Sequence, residues 1–258
     1  MNRKITVQFT MITFIIVAVM TIPLIFLGRL GFAVQSADHA WMNIPFIVYV
    51  CSPAIASYIA LKRNGKVSGL KEWLKNVFKF RNKLSHYAFV VFGIALFFAI
   101  QITFSGLTEM APFFMFFIFL PIALIFGGME ESGWMYILQP ELDKKYGFIL
   151  SSIFVGFIWI VWHIPLFFIP GTGHYAGTIP FLIFAFTNIF GRFFYGAIHK
   201  ISGSGVFLSI LFHTMFNAGY SVFFFPWTWS GAIASYTAIF IISIIAVILH
   251  EKKKRRTE

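Results

Sequence analysis

Five polar side chains stand where the sequence is otherwise apolar. Glu130 and Glu131 lie in one apolar run, His163 in a second, and His213 and Asn217 in a third. Ionisable groups inside membrane-length apolar runs are costly and mark functional sites by default. His213 and Asn217 are four residues apart, so on a helix they share a face. Glu130 and Glu131 are neighbours, about 100° apart around a helix, so one of them aims fully at a common site and the other faces a neighbouring helix or cavity. A carboxylate kept from water holds its proton more tightly and can serve as a general base near neutral pH. A neutral imidazole can share the activated water or hold a metal. A second imidazole and an amide can donate hydrogen bonds to a developing oxyanion. Together these are the parts of peptide-bond hydrolysis by activated water. The plain alternative, each histidine bonding a nearby backbone carbonyl, suits one histidine better than a set of four groups on three runs.

Other routes to the same reaction lack their residues. An aspartyl mechanism needs two aspartates inside spans, and Asp38 and Asp143 lie outside them. A zinc site of the H-E-x-x-H form is absent, since His250-Glu251 is followed by lysines. Ser202-Gly203-Ser204-Gly205 reads as a flexible loop rather than a serine nucleophile turn. Cys51, beside Ser52-Pro53, reads as a small packing residue. A proton- or ion-coupled transporter would also use buried Glu and His, but no pair of Gly/Pro-broken helices recurs in matched halves.

The elements that must position these groups are membrane spans. The chain has 258 residues, is 59% hydrophobic and 11% charged, and contains 36 Phe. Soluble domains carry about 25% charged residues, so with a mean hydropathy of +0.83 a water-soluble domain is excluded. One cysteine excludes a disulfide scaffold. Eight runs reach the length that spans a bilayer, at roughly 5–28, 44–61, 86–107, 111–139, 148–170, 178–198, 205–225 and 230–250. They are continuous rather than alternating, which predicts helices and not a barrel. The expected fold is all-α, a polytopic membrane bundle of about eight transmembrane helices, as a single integral-membrane domain over 1–258. The first run is too long for a leader's apolar region and reads as a retained anchor.

Charge sets the orientation. The 20 Lys and Arg exceed the 9 Asp and Glu, giving +11. Placing Arg192 at the inner end of span six, every basic residue but Arg29 falls in the N-terminus, loop 62–85, the connections near 144 and 200, or the tail. The positive-inside rule then puts both termini in the cytoplasm. Bases confined to loops do not form a nucleic-acid face, and no nucleic-acid partner is expected. In loop 62–85, Leu70, Trp73, Leu74, Val77 and Phe78 recur at helical spacing among lysines. Two readings stand here: a helix lying on anionic lipid at the cytoplasmic face, or a solvated basic linker. Counted from the cytoplasmic ends, Glu131 and His213 sit about 12–14 Å deep and His163 about 22 Å, which places the expected cut near the cytoplasmic face and leaves His163 out of step.

Three motifs fall in order on three spans. Glu130-Glu131-Ser132-Gly133-Trp134, continued by Tyr136-Ile137-Leu138-Gln139-Pro140, resembles the first motif of the CPBP family. Trp159-Ile160-Val161-Trp162-His163-Ile164-Pro165 resembles its second, and His213-Thr214-Met215-Phe216-Asn217 its third. This family comprises the CAAX proteases and the bacteriocin-processing or Abi enzymes, and the resemblance covers about residues 121–220. It implies a helical bundle of about eight spans and an intramembrane endopeptidase acting on a membrane-associated peptide or protein, with a bacterial plasma membrane as the expected location. It further implies that Glu130 activates water with His163, that Glu131 supports the first motif, and that His213 and Asn217 stabilise the oxyanion. Whether the family uses a metal is open; Glu130, His163 and His213 could hold zinc, which wants three protein ligands and an open position.

Two positions depart from the family pattern. Met135 stands where the first motif usually has Arg, which removes a cation that would orient a carboxylate. Trp159 stands where the second motif usually has Phe. The first departure supports an alternative, a catalytically weakened member acting in bacteriocin immunity or peptide binding. Arg192, placed at the cytoplasmic end of span six, is the candidate replacement.

Overall fold

A computed structural model describes residues 3–203 and 205–256. Ser204, from the serine-like loop, and the terminal acid Glu258 lie outside the described residues. In lipid the backbone must satisfy its own polar groups, so long apolar runs become helices. In α1 (Arg3–Arg29), Ile5, Phe9, Thr13, Val17, Thr21 and Leu24 recur every three or four residues and are buried, while Val7, Met11, Ile15 and Val19 are exposed. The inner stripe admits threonine because Thr13 returns its hydroxyl proton to the Phe9 carbonyl at 2.9 Å. The outer stripe is purely apolar, as contact with acyl chains requires.

Next come α2 (Asn43–Val50) and α3 (Ser52–Arg63), which break at Cys51 and bend by 48°. The basic loop then folds into α4 (Leu70–Val77), so its amphipathic stretch is helical and not a solvated linker. Trp73 and Val77 are buried, the Trp73 indole donating to Ser57 Oγ at 3.1 Å, while Leu70 and Leu74 stay exposed. The Ser68 amide and hydroxyl both donate to Glu72 and hold its carboxyl below the usual range.

The remaining elements are α5 (Leu84–Ser105), β1 (Glu109–Met110) and α6 (Phe114–Ile125), followed by a tightly wound turn (Gly128–Glu130), the single turn α7 (Glu131–Gly133) and a wide turn (Trp134–Leu138). These lead into α8 (Gln139–His163), α9 (Phe181–Ser202), α10 (Phe207–Tyr220), β2 (Phe223–Phe224) and α11 (Trp229–Arg255). β1 pairs antiparallel with β2, Glu109 opposite Phe224, and ties the α5–α6 link to the α10–α11 link. Within α8, Gly147 has φ 73° and the helix does not continue through it. The Trp159 indole reaches Glu130 at 2.8 Å, so the chain doubles back at this glycine.

Among the described residues, length and composition identify five stretches able to cross a membrane, six with the bent α2–α3 pair. One of them, Phe114–Phe168, doubles back at Gly147 and so holds two of the eight passes expected from the sequence. At 14 residues, α10 is about 21 Å long and too short to cross alone. The architecture is an all-α polytopic bundle of an integral membrane protein.

Candidate active site

The site forms where helical winding is irregular. Between α6 and α8 the chain passes through a tight turn, one α turn and a wide turn. Such wide turns concentrate at functional sites. The irregularity lets α10 lie directly on backbone. A Cβ at Gly127 would stand 2.2 Å from Asn217 Nδ2 and 3.0 Å from His213 Nε2, and one at Gly128 would stand 2.2 Å from Thr214 Oγ1. Only a residue without a side chain fits here. The same close approach shows that His213 Nε2 and Asn217 Nδ2 face one spot, as their four-residue spacing predicts.

Glu131 is the more enclosed of the two glutamates. Its carboxylate receives Arg192 Nη1 at 2.8 and 3.0 Å and His213 Nδ1 at 2.8 Å. Arg192 is 1% exposed and Glu131 0%. The guanidinium is packed between aromatic faces, 4.3 Å from the Trp159 ring centre and 4.6 Å from that of Tyr195. Its Nη2 is buried and makes no hydrogen bond among the described residues. The sequence assigned Arg192 to the cytoplasmic end of its span. That placement is corrected: the residue sits midway along α9, inside the bundle, because a buried carboxylate there supplies the counter-charge a buried guanidinium needs. Met135, at the usual position of the family's arginine, is buried as an apolar residue.

Glu130 has a different partner. Trp159 Nε1 donates to its Oε2 at 2.8 Å. The carbonyl of the same tryptophan accepts from His163 Nδ1 at 2.9 Å. A carbonyl can only accept, so the proton of His163 sits on Nδ1 and Nε2 is left with its lone pair. One residue thus fixes both Glu130 and His163, through its side chain and its backbone, and this explains how His163 joins the group although it counts out deeper by helical rise. Trp162, next to it, is held by its own indole N–H on Ser52 Oγ and by Tyr49, whose hydroxyl donates to the Trp162 carbonyl, both at 2.9 Å.

A cavity of about 840 Å³ opens onto these groups, lined by Glu130, Trp159, His163, Arg192, His213 and Asn217 among others. Glu131 stands behind this wall. Most of the remaining lining is aromatic or aliphatic, as suits a ligand site that buries an apolar occupant with a few placed polar groups. Thr172, Gly173 and His174 also line it. By its sequence alone this loop, Gly171-Thr172-Gly173-His174, is an ordinary connector; in the structure it forms part of the cavity wall. Gly171, with φ 95°, has its α-carbon so close to the Val34 carbonyl that a Cβ would be 2.0 Å away; the loop is thereby pinned over the cavity. Burial pushes His174 down to about 4. In the sequence Trp159 was visible only as a departure from a motif, and Arg192 only as the candidate replacement for the missing arginine, with no sign that it reaches the glutamates. Gln101 is an interhelical hydrogen bonder outside the site: its side-chain oxygen accepts from Ser235 Oγ at 2.8 Å and links α5 to α11.

Among the described residues, those within metal-ligating reach of one another are Glu130, Glu131 and His213, with ligand atoms inside 4.8 Å. His163 is not among them, so the set that comes together differs from the Glu130, His163, His213 set considered above. The donor chemistry does not fit a resident zinc. Both Glu131 oxygens and His213 Nδ1 are already engaged, and a guanidinium is paired with the same carboxylate. Within that reach only Glu130 and His213 Nε2 remain free, fewer than the three protein ligands of a catalytic zinc; the free Nε2 of His163 lines the same cavity but lies outside the set.

Residues 111–219 match the family model described as type II CAAX prenyl endopeptidase Rce1-like. The match covers the three motifs and agrees with the CPBP resemblance they carry. No curated protein matches the chain.

Proposed function

We propose that this chain, Rce1-like over residues 111–219, is an intramembrane endopeptidase that hydrolyses a peptide bond of a membrane-associated protein or peptide. Glu130 is the general base. It lines the cavity and keeps one oxygen outside its bond to Trp159. His163, with its Nε2 lone pair free, accepts from the same water and helps to aim it. The water oxygen forms a bond to the carbonyl carbon, its proton passes to Glu130, and the carbonyl oxygen becomes an oxyanion. The proton then passes from Glu130 to the leaving amine as the C–N bond breaks.

Asn217 Nδ2 is one donor to that oxyanion. His213 is the second in its doubly protonated form, which Glu131 supports by accepting Nδ1–H. With His213 in that form, two carboxylates balance two cations. Moving a proton from water to Glu130 exchanges one anion for another, so the buried group stays neutral throughout the step. Such prearranged charge is the largest single contribution in many enzymes.

The observation that carries the proposal is the Arg192–Glu131 pair. It restores to the glutamates the cation that Met135 removes, and it favours catalysis over a binding-only immunity protein. The test is cleavage of a single-span reporter peptide by purified protein, with Glu130→Ala and His213→Ala as controls. Full turnover by either variant would remove the proposal. A silent wild type that Met135→Arg switches on would establish the binding-only alternative. The exposed Leu70 and Leu74 of α4, flanked by Lys71 and Lys75, support the further proposal that this helix rests on anionic lipid.

A further inference from the structure

The cavity is one-sided. It runs from the middle of the bundle, at Arg192, Tyr195 and His213, to the loops on the side of Arg29, where Gln35, His174 and Trp227 line it. No residue of the opposite connections, 62–83, 144–147 or 203 and 205–206, lines it among the described residues. On that opposite side Leu138, Ile198 and Leu208 are buried at 1% exposure or less and close the floor. The rim is built rather than frayed. Gln35 adopts φ 61°, an uncommon conformation for a side-chain-bearing residue, and the Asn43 side chain holds it by accepting its amide proton at 2.8 Å.

Charge marks the two sides. Apart from Arg29 and the buried Arg192, the Lys and Arg residues all lie on the floor side, in the N-terminus, loop 62–85, the connections near 144 and 200, and the tail. Positive charge is retained in the cytoplasm. We infer that the cavity opens to the extracytoplasmic side and that the substrate is an exported or membrane-inserted polypeptide that presents its scissile bond from the outer leaflet. A lipidated chain end offered from the cytoplasm would meet the closed floor. The lining suits an apolar stretch of such a polypeptide: Phe119, Phe184 and Phe216 face it, with polar groups gathered at the rim and around Glu130. This inference rests on the endopeptidase proposal for its substrate and on charge and cavity shape alone for its direction. It replaces the cut near the cytoplasmic face that helix counting suggested.

The experiment separates the two. In the full chain carrying Cys51→Ser, single cysteines are placed at the rim, Ser221→Cys, and at the start of α5 on the floor side, Ser85→Cys. Intact cells and inverted vesicles are treated with a membrane-impermeant maleimide. The rim cysteine is expected to react in intact cells and the α5 cysteine in inverted vesicles alone; the reverse pattern overturns the inference. Gly173→Cys, at an exposed lining position, replaces Ser221→Cys if that variant fails to accumulate. Two single-span reporters, cleavable near the outer or the inner end, then test the substrate. Preferential loss of the outer reporter supports the inference, and preferential loss of the inner one overturns it. Rim labelling from outside with neither reporter cut supports the direction of opening and sinks the endopeptidase proposal instead.

Discussion

Glu130 and Glu131 are adjacent in the chain, both buried, and treated in opposite ways. Glu131 is saturated: a guanidinium and an imidazole occupy its oxygens, and it stands behind the cavity wall. Glu130 faces the cavity with one indole N–H as its hydrogen-bond partner in the same network. The difference comes from their helical offset of about 100°, which turns one towards α9 and α10 and the other towards α8. It teaches that one carboxylate is spent on holding charge in place, so that its neighbour is left free to take and release a proton.

The largest expected effect tests the free side. Glu130→Gln keeps the shape and the indole contact but cannot accept a proton, and turnover is expected to fall by about 10²–10⁴, the usual contribution of a general base. The unfolding midpoint in detergent should stay near that of the wild type. Undiminished turnover in the Glu130→Gln variant would erase the distinction between the two glutamates. The saturated side should respond the other way. Glu131→Gln leaves Arg192 charged and buried without a counter-ion, a loss of about 3–5 kcal/mol, read as a lowered midpoint in denaturant unfolding. The pair Glu131→Gln with Arg192→Met removes the stranded charge and should recover much of that loss. If the double variant is no better than Glu131→Gln alone, the ion pair is not what the site is built around.

A smaller effect sharpens the comparison on the side of Glu130. Trp159→Phe, which installs the residue usual in the related family, keeps an aromatic face over Arg192 and removes the N–H that orients the carboxylate. A hydrogen bond to a charged group contributes about 1.5–3 kcal/mol, so kcat should fall about 10–100-fold with KM little changed. The acid limb of the pH–rate profile should move as well, which a loss of packing alone would not produce. Unchanged kcat and profile would show that Glu130 is held by something other than this indole.

How much of this was legible beforehand follows from what sequence encodes. The spans, their helical nature and the shared face of His213 and Asn217 follow from hydropathy and from side-chain spacing, which are local; that His163 joins Glu130 on one cavity does not, since helix counting left it out of step. That Arg192 reaches Glu131 and that Trp159 donates to Glu130 were not legible, because each depends on a contact between residues 61 and 29 positions apart. Arg192 was misplaced for a physical reason: a positive charge near a predicted span end belongs to the cytoplasmic loop unless a buried anion receives it, and hydropathy does not record that anion's direction. The one-sided cavity was equally hidden. Helix counting measures depth from the cytoplasmic end, and it cannot register that α6 gives way to irregular turns at Gly127 and that the loop at Gly171 folds over the opening.

The smallest expected effect is the most discriminating for mechanism. Removing divalent metal with 1,10-phenanthroline should leave turnover unchanged, because the positive charge next to the glutamates comes from Arg192. A zinc ion bound by Glu131 would have to displace a guanidinium held at 2.8 and 3.0 Å and would sit against that cation at short range, where two like charges repel strongly in a low-dielectric interior. A zinc ion bound by Glu130 instead would occupy the oxygen proposed to take the proton. Loss of turnover with chelator and its return with added zinc would therefore require the two glutamates to exchange roles, with Glu131 released from Arg192. The asymmetry between the pair would then describe a resting state and not the working enzyme.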